Sequence, residues 1–138
     1  MTLSIVADIG GTNTRVALAD GKNVRAETIA KFANAEFASL EPILKRYMAE
    51  AGLIAVDGVC VAAAGPVQDG VAEMTNLSWV IDGAQLTRAT GASTTAILND
   101  LQAQGHALGH IAANLLRTVV SGPARSGKSM LVVGLGTG

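Results

Sequence analysis

The sequence has almost no cysteine, no basic cluster and no apolar run long enough to span a bilayer, and each absence removes a class of function. Cys60 is the single cysteine in 138 residues, so an internal disulfide is excluded. Its setting, Gly58-Val59-Cys60-Val61-Ala62-Ala63, reads as a small buried strand residue, and this usage suits a reducing cytoplasm, the expected location. Ten Lys and Arg stand against eleven Asp and Glu, a formal net charge of −1, and they are dispersed. Nucleic-acid and membrane-surface binders need a basic patch, so neither partner is expected. No positively charged segment precedes an apolar stretch near Met1, and no run approaches the roughly 20 apolar residues of a membrane span. The expectation is a soluble chain without an export signal. Repeats, low-complexity tracts and internal linkers are also missing. With 49% hydrophobic and 15% charged residues, one domain can bury a core without metal or disulfide support.

What is present concentrates near the start, in Val6-Ala7-Asp8-Ile9-Gly10-Gly11-Thr12-Asn13-Thr14-Arg15-Val16-Ala17-Leu18. An apolar run ends in a carboxylate and a double glycine, and a second apolar run follows. This reads as a hairpin able to hold phosphate. Gly10 and Gly11 can take positive φ and place no Cβ between backbone N–H groups and an anion, while Thr12 and Asn13 add side-chain donors. Asp8, at the strand's end, could hold a hydrated Mg²⁺ beside that phosphate. The plain alternative for the glycines is an ordinary hairpin turn.

Leu3–Asp8, Thr14–Asp20 and Asn23–Lys31 read as three strands, the last two joined by the hairpin dipeptide Asp20-Gly21. Apolar residues then recur at helical spacing from Glu36 to Ala51 (Phe37, Leu40, Ile43, Leu44, Tyr47, Met48), with Gly52 as the stop. Glu41, Lys45, Arg46 and Glu50 lie off that stripe, as a solvated face would. Val56–Ala64 reads as a strand covered on both faces, which implies helices on both sides of a sheet, and Gly65-Pro66 ends it. Asp69-Gly70 suggests a second hairpin, Ile81–Thr90 a helix, Thr94–Leu98 a buried strand and Leu101–Leu116 a further helix. Hairpin strands followed by alternating helices and strands predict an α/β fold with a mixed sheet flanked by helices.

Asn99-Asp100 follows the end of an apparently buried strand, where open α/β sheets place their ligands. An amide and a carboxylate there can hold vicinal hydroxyls, and Asp100 can orient a hydroxyl and accept its proton as it attacks a phosphorus. Capping the next helix is the alternative, compatible with the first. Gly122-Pro123-Ala124-Arg125-Ser126-Gly127-Lys128-Ser129 fits the P-loop pattern of nucleotide hydrolases. That site needs a helix directly after Lys128, but Met130-Leu131-Val132-Val133-Gly134-Leu135-Gly136-Thr137-Gly138 is β-branched and glycine-rich, at about 1 kcal/mol of helix cost per glycine relative to alanine. The expectation is a loop between two strands. His106 and His110 are four apart on the last expected helix, without the further ligands a metal site needs.

The string Asp-x-Gly-Gly-Thr-Asn-x-Arg resembles the phosphate hairpin of the sugar kinase, Hsp70 and actin superfamily, and most of all that of bacterial glucokinases. Ala62-Ala63-Ala64-Gly65-Pro66-Val67, Met74-Thr75-Asn76-Leu77-Ser78-Trp79 and Leu98-Asn99-Asp100 resemble later segments of that family in order. The resemblance implies a ribonuclease H-like, actin-like domain and ATP-dependent phosphorylation of glucose or a related hexose. Asp100 would be the catalytic base, Asn99 and Asp100 the sugar ligands, and Asp8, Gly10, Gly11, Thr12, Asn13 and Arg15 the contacts to ATP and Mg²⁺. Gly136, Thr137 and Gly138 look like the family's second phosphate turn. Family members are longer, so residues 1–138 are expected to be an N-terminal domain, catalytically silent without the rest and dimeric in the full-length protein. A non-catalytic sugar-sensing regulator shares this fold, but such repressors carry a basic helix-turn-helix ahead of the hairpin.

Overall fold

The computed structural model describes residues 2–123 and 127–134, which divide into two compact units, one up to Asp100 and one from Leu101. The first unit holds β1 (Leu3–Ile9), β2 (Asn13–Asp20), β3 (Asn23–Val24), β4 (Ala30–Ala33), α1 (Leu40–Glu50), β5 (Gly58–Ala63), β6 (Val67–Gln68), β7 (Val71–Glu73), β8 (Val80–Ile81), α2 (Gly83–Thr90) and β9 (Thr94–Asn99). Helix α3 (Asp100–Ala107) follows at the boundary. The main sheet runs β3-β2-β1-β5-β9, with β4 also on β2, and a small sheet joins β6, β7 and β8. Strand β2 is antiparallel to β1, whereas β5 is parallel to both β1 and β9. The mixed sheet is therefore the expected one.

Alternation decides which face is covered. Ile5, Ala7 and Ile9 of β1 and Val59, Val61 and Ala63 of β5 are buried in one cluster with Leu40, Ile43, Leu44, Tyr47 and Met48 of α1 and Leu86 and Ala89 of α2. Each large side chain so buried contributes about 1.5–3 kcal/mol. The opposite face, with Val6, Cys60, Ala62 and Leu98, is only half-buried. Strand β5 is thus covered fully on one side, against the expectation of two, and burial there still pushes the Cys60 thiol up. Strand β9 is half-buried, not buried, because it ends the sheet and pairs with β5 alone.

Several boundaries differ from the sequence reading for local reasons. Asn23–Lys31 is not one strand: a 3-10 turn at Ala26–Thr28 separates β3 from β4. The Thr28 hydroxyl accepts from the Leu18 N–H at 2.9 Å and donates to the Arg25 carbonyl at 2.6 Å, so a side chain takes the ladder position a continuous strand would fill. Helix α1 starts at Leu40, after a second 3-10 turn at Asn34–Glu36, with Pro42 in its first turn, where a missing N–H costs nothing. It ends as expected at Gly52 (φ +66°), where Leu53 N–H reaches the Met48 carbonyl and Gly52 N–H the Ala49 carbonyl. Ile81 belongs to β8, and α2 begins after Asp82, whose carboxylate accepts from the Gln85 N–H at 2.8 Å. At the second hairpin Asp69 and Gly70 both have positive φ, +51° and +75°, as a type I′ turn requires.

In the second unit the helix predicted to Leu116 stops at Ala107. Gly105 and Gly109 weaken it, and its apolar residues form no single stripe to bury. His106 lies in α3 and His110 in a separate 3-10 turn, so they do not share one helix face. The described residues 129–134 form neither the predicted strand nor the helix that a P-loop needs after Lys128. Val132 and Leu101 instead lie over Gly105 and Gly134, 3.3 and 2.7 Å from where Cβ atoms would stand.

Candidate active site

Parallel pairing brings the Gly10-Gly11 turn and the Asn99-Asp100 pair to one edge of the sheet. Ile9 of β1 is in register with Ala63 of β5, and Ala63 with Asn99 of β9. The hairpin turn after Ile9 and the Asn99-Asp100 pair therefore leave the same edge two strand spacings apart, about 10 Å. Both lie in the first unit, which ends at Asp100.

The turn closes through the Gly10 N–H, which donates to the Asn13 carbonyl at 3.0 Å. Gly10 and Gly11 do not take the expected positive φ; among the described glycines that conformation occurs at residues 21, 52, 70, 91 and 127. Their value here is space. A Cβ on Gly10 would stand 3.3 Å from the Asn13 carbonyl oxygen, and one on Gly11 would stand 3.5 Å from Asn76 Nδ2. Asn76, on the loop between β7 and β8, thus borders the turn. Thr12 is exposed and Asn13 half-buried, so both remain within a ligand's reach.

Asp8 pairs in register with Arg15, and Arg15 with Lys31 of β4, which gives one row across three strands. Arg15 Nη1 is 3.3 Å from Asp8 Oδ2, with side chains 61% and 59% exposed. Such an exposed pair adds less than about 1 kcal/mol, so it does not lock Asp8 away from a cation. One exposed carboxylate suits Mg²⁺, which keeps several waters and shares its remaining positions with substrate phosphates. No cluster of three or more acidic, His or Cys side chains that would hold a metal by itself occurs among the described residues.

At the end of β9, Asn99 Nδ2 donates to the Gly65 carbonyl at 2.9 Å. Gly65 is fixed in turn: a Cβ there would overlap the Glu73 carbonyl oxygen, and the Thr75 N–H donates to the Ala64 carbonyl at 3.3 Å. Asn99 is the last residue of β9 and Asp100 the first of α3, both half-buried. Asp100 thus stands in the first turn of α3, where the helix dipole favours a carboxylate. Gly136, Thr137 and Gly138 lie outside the described residues.

A residue that sequence reasoning missed supports the hairpin. Asn34, 2% exposed, donates from Nδ2 to the Gly10 carbonyl at 2.8 Å and from its backbone N–H to the Thr12 carbonyl at 2.9 Å, and its Oδ1 accepts from the buried Thr14 hydroxyl at 2.8 Å. Its only sequence signal is an amide between two alanines directly after an apolar strand.

A glucokinase family model matches residues 5–138. The chain belongs to the glucokinase family. It is 36% identical over 138 residues to the glucokinase of Pseudomonas paraeruginosa, covering 99% of this chain and 40% of that one. The crystal structure of a glucokinase from an Antarctic psychrotroph superposes with a TM-score of 0.75 at 28% identity, covering 91% of this chain and 41% of that one. A glucokinase from Balamuthia mandrillaris, solved in complex with glucose, matches with a TM-score of 0.51 at 25% identity, over 72% of this chain and 30% of that one. The chain thus spans about two fifths of the length of its glucokinase relatives. Its mixed sheet with flanking helices is the actin-like sugar kinase fold.

Proposed function

We propose that this chain is the N-terminal part of an enzyme that transfers the γ-phosphoryl group of ATP to the 6-hydroxyl of glucose. The observation that carries the proposal is the shared sheet edge: a glycine turn suited to phosphate and an Asn-Asp pair suited to hydroxyls leave it two strands apart. Asn99 and Asp100 hold the sugar. Asp100 accepts the proton of the attacking hydroxyl, whose oxygen forms a bond to the γ-phosphorus while the bond from phosphorus to the β-phosphate oxygen breaks, giving glucose 6-phosphate and ADP. Gly11, Thr12 and Asn13 offer N–H and side-chain donors to the phosphates, Gly10, whose own N–H closes the turn, keeps the approach clear of a Cβ, and Arg15 adds positive charge. Asp8 would hold Mg²⁺ through water, and the bound ion would supply charge neutralisation on the phosphates. Gly136, Thr137 and Gly138 would add a second phosphate turn. The full-length protein would be a cytoplasmic homodimer, and residues 1–138 alone would not turn over, because positioning across two domains supplies most of such a rate.

The test is ADP release by the longest product of this gene, with and without glucose, in wild type, Asp100→Asn and Lys128→Ala. Glucose-dependent turnover that falls roughly 10²–10⁴-fold in Asp100→Asn, and persists in Lys128→Ala, is the expected result for loss of a general base. Sugar-independent turnover that disappears with Lys128 would overturn it.

A further inference from the structure

We infer that Asn34 is the positioning residue of the phosphate turn: it sets the plane of the Gly10-Gly11 peptide and so aims the Gly11 N–H at the nucleotide. The inference rests on the proposed phosphate role of that turn. A peptide unit is planar and trans, so its carbonyl and the following N–H point in opposite directions. Asn34 Nδ2 holds the Gly10 carbonyl at 2.8 Å from the buried side, and the Gly11 N–H is therefore directed away from Asn34. A peptide between two glycines has no Cβ to oppose rotation of its plane, and glycine tolerates both signs of φ. Something outside the turn must choose one orientation.

Asn34 can make that choice because two other hydrogen bonds fix it. Its Oδ1 accepts from the Thr14 hydroxyl at 2.8 Å, which orients the amide so that Nδ2 faces Gly10, and its own N–H holds the Thr12 carbonyl at 2.9 Å. Asn34 and Thr14 are 2% and 0% exposed, so neither touches a ligand. The 3-10 turn at Asn34–Glu36 also has a purpose on this reading: it bends the chain leaving β4 so that residue 34 comes under the hairpin.

The experiment measures Kd for ATP by calorimetry, and KM for ATP and for glucose, on the longest product of this gene. The variants are Asn34→Ala, Asn34→Asp, Thr14→Val, Thr14→Ser and Gly11→Val, with the folded fraction of each determined by circular dichroism. Asn34→Asp keeps the acceptor for Thr14 but replaces the donor to Gly10. In Asn34→Ala and Asn34→Asp the Kd for ATP should rise about tenfold, the equivalent of roughly one lost buried hydrogen bond. KM for glucose should stay within about twofold per folded molecule, since a uniform binding loss at one substrate leaves the other alone. Thr14→Val should move the same way by less, and Thr14→Ser should restore wild-type affinity. A structural role alone would lower the folded fraction and leave Kd unchanged, which would overturn the inference while the turn's phosphate role stood. If Gly11→Val binds ATP as wild type does, the phosphate role of the turn fails, and the inference about Asn34 fails with it.

Discussion

Two asparagines do the same thing at two ends of one sheet edge. Asn34 donates to the Gly10 carbonyl at 2.8 Å and Asn99 to the Gly65 carbonyl at 2.9 Å. They differ in surroundings. Asn34 is 2% exposed and committed to protein partners at its N–H, Nδ2 and Oδ1, whereas Asn99 is half-buried at the mouth of the edge, next to Asp100. The same amide thus supports a turn from behind in one place and stands half-buried beside Asp100 in the other. Burial, and not residue type, separates a group that shapes a site from one that can meet a ligand.

The largest effect that would sharpen this comparison is at the glycines being held. In Gly65→Ala the new Cβ would overlap the Glu73 carbonyl oxygen and stand 3.0 Å from its carbon and 3.1 Å from Met74 Cα. These are backbone atoms that no rotamer change removes, so the cost should reach about 3 kcal/mol or more. Gly11→Ala meets only the Asn76 side chain, at 3.5 Å, and should alter stability by less than about 1 kcal/mol. Urea denaturation of both variants measures the contrast, and equal losses would break it.

Next in size are the asparagines themselves. Asn34→Ala leaves the Gly10 carbonyl and the Thr14 hydroxyl without their buried partner, which should cost at least about 2 kcal/mol at about 1–3 kcal/mol for each orphaned group. Asn99→Ala loses the hydrogen bond to the Gly65 carbonyl at a half-buried position, and that bond should be worth about 1 kcal/mol. Binding should reverse that order for the sugar: KM for glucose rises in Asn99→Ala and stays near wild type in Asn34→Ala. Steady-state kinetics beside the denaturation curves test this, and a larger glucose effect from Asn34 would mean that it reaches the substrate side after all.

The comparison also marks what could be read from residue order. The place of Asn99 at a strand end was legible because a largely apolar run stops there at an amide and a carboxylate. Asn34 was not, because its partners are backbone carbonyls 24 and 22 positions away, and no local pattern announces a long-range bond. The glycine turn was legible as a location, but not through positive φ, which neither glycine takes; at Gly10 the Asn13 carbonyl oxygen, 3.3 Å from where a Cβ would stand, leaves little room for a side chain. Strands β1, β2 and β5 formed where the apolar runs stand, and helix α1 followed its apolar period because a core lay on one side of it. Helix α3 fell short of its predicted end at Leu116, since the apolar side chains of residues 101–116 make no single stripe to bury, and Leu115 remains 75% exposed.

The smallest expected effect lies away from both asparagines, at the pair of helices behind the sheet, and it provides a baseline. Glu41 of α1 receives Lys45 Nζ at 2.7 Å and Arg88 Nη2 of α2 at 3.4 Å. The Lys45 hydrogen bond, more than the charge of Arg88, holds its carboxyl below the usual glutamate value. A carboxylate with a depressed folded-state value stabilises the fold at pH above its unfolded value, and the stabilisation is lost as pH falls through the folded value. Glu41→Gln should therefore lower Tm slightly at neutral pH, and the difference from wild type should vanish in acid below the glutamate range. Salt should shrink it as well, since these groups face solvent. Asn34→Ala should lose stability at every pH, because no proton enters its hydrogen bonds. Melting curves of the two variants across pH and salt would then separate a surface ion pair, which solvent conditions can remove, from a buried amide that they cannot.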